Sequence, residues 1–292
     1  MSAGDAPDAP LVRVRVPGAG LFLALPELSP AAIRTLLAAH DATRDDARLL
    51  KARFGTRVTH VSLDPHDAEA ARLDTSEVVV KESRVSPRHA LAQHLGFRAR
   101  VHRDFAQARR LAARGVATPR VLACSLRAQD RREFELTAFL EGARTVRQLL
   151  WLDGGVLAQP EDRLRLMASL GPWIRHLHDA GIWQRDLKPH NVMVRDWNDS
   201  RPALYLLDIT FLRFRRAPLS RARRVRNLAQ VLDVPAHLDA ELAEPLLAAY
   251  LDSPAEVAGW LQEVRSGVEA RREARLRKDG FRFIDERILS KN

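Results

Sequence analysis

The sequence predicts an α+β protein with two lobes, a small N-terminal lobe built on an antiparallel sheet with one main helix and a mainly helical C-terminal lobe. Short valine-rich runs typical of strands are concentrated before residue 140, and long helical periodicities dominate after it. The chain has 292 residues and 46% hydrophobic content, enough for two cores. We expect the lobes at 11–140 and 141–292, after a tail at 1–10 whose acid and proline content indicates disorder and not a signal peptide.

The N-terminal lobe is predicted to begin with a hairpin over 11–26, where valines alternate with arginines before a Pro-Gly turn. Ser29, followed by proline, is a helix start signal, and we expect that helix to run to about Leu50. A turn and a strand are predicted over 54–63. A second strand, of three valines followed by lysine, is predicted over 77–82.

The main helix of this lobe is predicted over 97–114, where apolar residues recur at helical spacing before Gly115. Two further strands are expected over 119–124 and 132–140. They complete the sheet, and the Glu141-Gly142 dipeptide that follows is a natural hinge between the lobes.

The C-terminal lobe is predicted to begin with an amphipathic helix over 161–180, because its apolar residues recur at spacings of three and four. This helix leads through Gly181 into a polar loop at 184–191, Gln-Arg-Asp-Leu-Lys-Pro-His-Asn. Two apolar strands separated by a turn-rich segment follow, and the second strand ends at Asp208.

The spacing of this loop is that of the catalytic loop of protein-kinase-like phosphotransferases, with Gln184 in place of the usual histidine. Asp186 is placed to accept or orient the proton of an attacking hydroxyl, and Lys188 to neutralise charge on the moving phosphoryl group. Asn191 and Asp208 come at the ends of paired strands, where they can share a metal ion. The loop therefore predicts a phosphotransferase that uses ATP and Mg²⁺.

Four features of the N-terminal lobe are assigned roles on the same grounds. Lys81 is the predicted phosphate-binding lysine, in a chain that uses Lys at only five of its 47 basic positions. Asp104 is the only acidic residue near the predicted main helix and is therefore the expected ion-pair partner of Lys81. Gly55 is the only glycine available to cover the nucleotide. Adenine is expected to bond backbone groups near Phe139 to Glu141.

An arginine-rich segment follows Asp208, with seven arginines between 213 and 226. It has no room for the long loop on which protein kinases dock peptides. We expect Arg213, Arg215 and Arg216 to bind a substrate that already carries phosphate or carboxylate, and a solvated basic loop is the alternative. Further helices are predicted over 221–232, 235–250 and 254–277.

Composition limits the partners. A net charge of +10 and a pI of about 10.7 favour anionic partners. Nucleic acid is not expected, because aromatic residues make up only 6% and are not interleaved with the basic run. The single cysteine, Cys124, excludes a disulfide framework and indicates a reducing compartment. The longest uncharged apolar stretch, at 16–26, is too short to span a bilayer, so no transmembrane segment is predicted.

Several of these segments together resemble the bacterial lipopolysaccharide kinase family, the heptose and 3-deoxy-manno-octulosonic acid (Kdo) kinases of the inner core. The resemblance runs from about Arg57 to Leu232. It rests on Val-Val-Val-Lys81, the helix from Arg103 to Gly115 with Val-Ala-Thr-Pro119, Arg185-Asp186-Leu187, Leu207-Asp208-Ile209 and Arg226-Asn227-Leu228-Ala229.

The resemblance implies a protein-kinase-like fold, with ATP and Mg²⁺ as cofactors. It also implies a cytoplasmic enzyme, peripheral on the inner membrane, that phosphorylates a sugar hydroxyl of the lipopolysaccharide core. It gives Lys81, Asp186, Asn191 and Asp208 the roles stated above.

Three positions depart from the pattern of this family. Asp104 stands where Glu is usual, Asn227 where Asp is usual and Gln184 where His is usual. Two alternatives stay open: a protein Ser/Thr kinase, favoured by the Asp-Leu-Lys-Pro-x-Asn sequence, and a pseudokinase that binds nucleotide. The short arginine-rich segment opposes the first, and the presence of every predicted metal- and phosphate-binding residue opposes the second.

Overall fold

The computed structural model of the protein describes residues 11–43, 49–53, 55–62, 76–95, 101–152, 155–199 and 201–279. It confirms the predicted α+β class, with an antiparallel sheet in the N-terminal part and mostly helices in the C-terminal part. The chain divides into two compact units, Met1–Leu140 and Glu141–Asn292. The predicted tail at 1–10 lies outside the described residues.

The first unit contains a seven-stranded antiparallel sheet. Its strands are β1 (Val12–Val16), β2 (Gly20–Ala24), β3 (Leu49–Arg53), β4 (Thr56–Ser62), β5 (Glu77–Arg84), β6 (Val121–Ser125) and β7 (Arg132–Ala138). They lie in the order β1-β2-β6-β7-β5-β4-β3. The first hairpin thus extends the sheet beyond β6, and β5 lies between β7 and β4.

In the described part of this unit the helices are α1 (Pro30–Ala42), α2 (Pro87–His94) and α3 (Arg103–Ala112). The hydroxyls of Ser29 and Ser86 accept hydrogen bonds from the first turns of α1 and α2, and a proline follows each cap. Helix α1 packs against β1, β4 and β5, whereas α3 packs against β6.

The structure corrects three of the predicted boundaries. The first helix ends at Ala42 and does not reach Leu50, which lies in β3, a strand paired with β4. The main helix begins at Arg103 and ends at Ala112 instead of covering 97–114; residues 101–102 form a turn, and 97–100 lie outside the described residues. Helix α2 was not predicted, although Ser86 and the proline after it carry the same start signal as α1.

The second unit is mainly helical. Its helices are α4 (Val146–Leu150), α5 (Pro160–Asp179), α6 (Arg221–Val231), α7 (Ala236–Tyr250) and α8 (Val257–Asp279). Helix α5 packs on α7, and α6 packs on α8. A Cβ at Gly171 of α5 would lie 2.7 Å from the backbone of Ala249, so the approach of α5 to α7 requires glycine. None of the helices in the described ranges is long and apolar enough to cross a membrane.

Two small antiparallel sheets support the polar loop of this unit. One has the order β11-β10-β8, formed by β8 (Arg144–Thr145), β10 (Val192–Arg195) and β11 (Ala203–Leu206). The other pairs β9 (Ile182–Trp183) with β12 (Arg213–Phe214). The loop at 184–191 therefore begins from one sheet and ends in the other.

Candidate active site

The predicted catalytic loop lies between β9 and a short 3₁₀ turn at Pro189–Asn191. Gly181, immediately before β9, has φ +69°, and its carbonyl oxygen accepts a hydrogen bond of 2.8 Å from the Arg215 amide. A Cβ at this position would lie 2.6 Å from the Arg215 carbonyl oxygen. Only glycine fits both the backbone conformation and the close approach, so Gly181 sets the entry of the chain into the loop.

Asp186 and Lys188 form an ion pair on this loop. The distance between Lys188 Nζ and Asp186 Oδ1 is 2.8 Å, and the side chains are 35% and 45% exposed for Lys188 and Asp186. Asn191 donates its Nδ2–H to the Asp186 carbonyl oxygen at 2.8 Å. Because that bond engages the amide nitrogen, Oδ1 is the atom that Asn191 can offer to a metal ion.

Asp208 lies beside Asn191 through the pairing of β10 with β11. Val192 pairs with Leu206, and the Leu207 amide donates to the Asn191 carbonyl oxygen at 2.9 Å. The structure thus brings the two predicted metal ligands to adjacent ends of paired strands. Asp208 is exposed and adopts φ +50°, a left-handed conformation that an aspartate tolerates better than most residues.

The three arginines predicted to bind substrate are exposed. Arg213 pairs with Trp183 across β12 and β9, and Trp183 lies three residues before Asp186 in the chain. The Arg215 amide donates to the Gly181 carbonyl oxygen. Helix α6 continues the basic run, but two of its arginines already have acidic partners. Arg221 pairs with Glu263 at 2.9 Å, and Arg224 pairs with Asp179 at 2.6 Å.

In the first unit, Lys81 forms an ion pair with Glu135, with 3.3 Å between Lys81 Nζ and Glu135 Oε2. The two residues pair across β5 and β7, and Glu135 pairs with Cys124 across β7 and β6. Side chains at paired positions point to the same face of a sheet, so these three residues form one row on one face. The Lys81 side chain is 28% exposed and that of Glu135 is 9% exposed.

Asp104, the expected partner of Lys81, is fully buried in the first turn of α3. Burial raises the pKa of the Cys124 thiol, and the negative charges of Glu135 and Asp104 raise it further. Asp104 therefore lies near the same face of the sheet as Glu135. The pairing of Asp104 with Lys81 stays a prediction, and Glu135 is an acidic partner that sequence reasoning missed.

The predicted nucleotide-covering and adenine-contacting residues lie around the edge of the same sheet. Gly55 is in the turn between β3 and β4, with φ +72°. Phe139 follows β7 and stacks on His60 of β4, with ring centroids 3.9 Å apart and 16° between the planes. His60 also forms an ion pair with Glu77. Glu141 is the first residue of the second unit and is exposed.

A model of the lipopolysaccharide kinase (Kdo/WaaP) family matches residues 87–249, more than half of the chain. The chain belongs to this family. The match confirms the resemblance stated from the motifs and confirms that the protein is a kinase. A search of curated proteins found no match. Among solved structures, the chain is similar to one described as "WaaP in complex with acyl carrier protein", at 19% identity and a TM-score of 0.49, over 80% of this chain and 91% of that chain.

The region of the chain that the family model matches contains Asp104, the predicted catalytic loop and Asp208, but it begins after Gly55 and Lys81. The predicted role of Lys81 therefore rests on its position in β5 and its ion pair with Glu135. The individual site residues stay predictions.

The sequence did not indicate three residues that contact predicted site residues or the predicted catalytic loop within their own unit: Glu135 and His60 in the first unit and Gln230 in the second. Each contacts a residue far away in sequence. The strand register places Glu135 and His60 on the same face of the sheet as Lys81. The sequence alone does not give this register.

Proposed function

We propose that this lipopolysaccharide kinase transfers the terminal phosphoryl group of ATP to a sugar hydroxyl of the lipopolysaccharide core or a related glycolipid. The observation that carries the proposal is the arrangement of Asp186, Lys188, Asn191 and Asp208 on one loop and the strand paired to it. It supplies a carboxylate for the hydroxyl, a cation for the phosphoryl group and two oxygen ligands for a metal ion.

In the proposed reaction, Asp186 orients the acceptor hydroxyl and accepts its proton as the oxygen attacks the γ-phosphorus and ADP leaves. Lys188, 2.8 Å from Asp186, stabilises the negative charge of the transferring group and holds the carboxylate in place. Lys81, oriented by Glu135, is placed to bind the nucleotide phosphates.

The residues present fit a bound Mg²⁺. Asn191 Oδ1 and the Asp208 carboxylate are oxygen donors of the kind that Mg²⁺ prefers, and they come from adjacent strand ends. When bound, Mg²⁺ would neutralise charge on the phosphate oxygens of ATP. The chain's own contribution is to keep Asn191 in place through its bond to the Asp186 carbonyl oxygen.

An anionic acceptor accounts for the arginines next to the loop. Arg213, Arg215 and Arg216 are exposed, and the β9–β12 pairing holds the first of them beside Trp183. Guanidinium groups bind phosphate or carboxylate in a bidentate manner, so a sugar that already carries such a group would be held near Asp186. Together with the charge of +10, this supports a cytoplasmic location, peripheral on the anionic face of the inner membrane.

The test compares three proteins with Mg²⁺ and γ-labelled ATP, with and without a lipid A–core extract. Wild type should transfer label to the extract, and Asp186→Asn should lower that rate by about 10²- to 10⁴-fold, the usual contribution of a positioned acid–base group. Asp196→Asn is the matched control, because Asp196 is an exposed aspartate with φ +54° where asparagine is well tolerated. It should leave the rate unchanged.

Three outcomes would contradict the proposal. Wild type that labels no core component would remove the proposed acceptor. Efficient and saturable labelling of peptides would favour the protein Ser/Thr kinase. Nucleotide binding without turnover, in wild type as well as in Asp186→Asn, would favour the pseudokinase.

A further inference from the structure

Three amide side chains are buried beneath the catalytic loop: Gln184, Asn227 and Gln230 are each at most 2% exposed. Gln184 belongs to the loop, whereas Asn227 and Gln230 lie one turn apart on α6. Amides are rarely buried unless they are hydrogen-bonded, so their partners indicate what they do.

Asn227 and Gln230 bind the backbone of the loop from below. Asn227 Nδ2 donates to the Gln184 carbonyl oxygen at 2.7 Å and to Gln230 Oε1 at 2.8 Å. Gln230 Oε1 also accepts from the Leu187 amide at 3.0 Å, and its Nε2 donates to the Arg185 carbonyl oxygen at 2.8 Å. Two side chains of one helix thus hold three of the four backbone positions from 184 to 187.

The Gln184 side chain joins the catalytic loop to the metal-binding strand end. Its Nε2 donates to the Asp208 carbonyl oxygen at 2.8 Å and approaches the Leu207 carbonyl oxygen at 3.4 Å. Its Oε1 accepts from the Asp186 amide at 3.3 Å. The Gln184 side chain therefore contacts the backbones of Asp186 and Asp208, the two aspartates of the candidate site. Asp208 is the residue with the left-handed backbone conformation.

The surroundings determine the orientation of the amides. Asn227 Nδ2 faces two oxygen atoms, so it must be the donor, and Oδ1 accepts from His178 Nε2 at 3.3 Å. His178 Nδ1 then accepts from the Tyr250 hydroxyl at 2.9 Å. Every donor of this network therefore faces an acceptor, from Tyr250 on α7 through His178 on α5 and Asn227 on α6 to the loop. The three amides carry no charge.

We propose that Gln184, Asn227 and Gln230 are positioning residues that hold Asp186 and Asp208 in register through neutral hydrogen bonds. Resting on the proposed function, it assigns roles to two positions that depart from the family pattern: the Gln184 side chain links the Asp186 amide to the Asp208 carbonyl oxygen, and Asn227 bonds to the backbone of the loop. Gln184 Nε2–H is the donor on which the link to Asp208 depends. An isosteric carboxylate at 184 cannot make that bond while it is ionised.

Gln184→Glu tests the donor. At pH 8 we expect kcat for Mg²⁺-ATP turnover to fall by about 10- to 100-fold with KM for ATP little changed, as for other outer residues that orient a site. Lowering the pH should raise kcat of this variant relative to wild type at the same pH, because a protonated carboxyl can donate to the Asp208 carbonyl oxygen. Asn227→Asp removes the two hydrogen bonds that Asn227 Nδ2 donates and should show the same loss of kcat.

Gln148→Glu is the control and should leave kcat unchanged. Gln148 Oε1 only accepts hydrogen bonds from Thr145, and a glutamate keeps those bonds.

A merely structural role would give a different pattern. If Gln184→Glu kept wild-type kcat, or lost it with no recovery at lower pH, the proposal would be overturned.

Amide hydrogen exchange tests the same network without any activity. Gln230→Met removes the acceptor of the Leu187 amide, so exchange at 186–187 should become faster than in wild type and in the control Gln148→Met. Unchanged exchange would refute the role of Gln230. If wild type itself turned over no Mg²⁺-ATP, the proposed function would fail, and the exchange result would still decide whether the amides hold the loop.

Discussion

The two units each contain a buried polar network, and the two networks differ in charge. In the first unit, His40 of α1 bonds to Thr59 at 2.7 Å and to Glu82 at 3.2 Å, and Arg132 bonds to Glu82 at 3.0 Å and to Asp41. In the second unit, the network around Gln184 and Asn227 consists of neutral amides, the buried His178 and Tyr250, whose hydroxyl also accepts from Arg224 at 3.1 Å. Charged groups lie within the network beside α1, whereas the α6 side chains that bond to the predicted catalytic loop are neutral amides.

The pKa values show the same contrast. The hydrogen bond from His40, with help from Arg132, lowers the pKa of Glu82 to about 2 although burial opposes the shift. In the second unit, burial lowers the pKa of His178 to about 3, and the nearby Arg224 charge acts in the same direction. Glu82 therefore stays ionised and His178 stays neutral at neutral pH. The side chains that bond to the loop backbone near Asp186, those of Asn227 and Gln230, are uncharged. They therefore add no charge to those that Asp186 and Lys188 would present to a substrate.

The chain carries a separate spectroscopic probe in each unit. All five tryptophans belong to the second unit: Trp151, Trp173, Trp183, Trp197 and Trp260. The single cysteine, Cys124, is fully buried in the first unit. Tryptophan fluorescence therefore follows the unfolding of the second unit, and thiol labelling of Cys124 follows the first.

The largest effect is expected from His178 in acid. Its folded pKa of about 3 lies below the ordinary 6.5, so its stabilising contribution is complete above pH 6.5 and is lost as the pH falls toward 3. By pH 3 the free energy of unfolding of the second unit should drop by about 4 kcal/mol from this group. Urea unfolding followed by tryptophan fluorescence measures it. The non-titrating His178→Gln should lack this part of the pH dependence, and an equal loss in both proteins would contradict it.

A smaller effect is expected from Glu82 in the first unit. Its folded pKa of about 2 lies below the ordinary 4.5, so its contribution is complete above pH 4.5 and is lost as the pH falls through 2. Glu82→Gln should therefore lower the free energy of unfolding by about 3 kcal/mol at pH 7, and the difference should disappear near pH 2. Cys124 labelling in urea measures it. A cost that stays constant with pH would show that packing, not charge, is lost.

The smallest effect is expected from the cap of the helix that carries His40. The Ser29 hydroxyl accepts from the Ala32 amide at 3.1 Å, and Ser29→Ala should cost about 1 kcal/mol. Cys124 labelling at pH 7 should detect this loss, while the tryptophan transition stays in place. A loss as large as that of Glu82→Gln would mean that the cap, and not the charged network, dominates the docking of α1.

The sequence predicts well those parts of the fold whose conformation depends on residues close by in the chain. Ser29 with its proline marks the start of α1, and the loop at 184–191 is recognisable because its functional residues lie within eight positions. The predicted end of α1, at about Leu50, is wrong. Leu49–Arg53 instead forms a strand that pairs with β4. Pairing with the next strand of the sheet overrides a weak local preference for helix.

The sequence by itself determined the α+β class, and it predicted the loop with Asp186, Lys188 and Asn191 and the strand end at Asp208, because these depend on local spacing and periodicity. Only the tertiary structure decided that Lys81 meets Glu135 and that Asn227 bonds to Gln184. The first contact depends on strand register, and the second on how α6 packs beneath the loop. Lys81 and Glu135, like Gln184 and Asn227, are more than 40 positions apart, and local sequence carries no signal for such contacts.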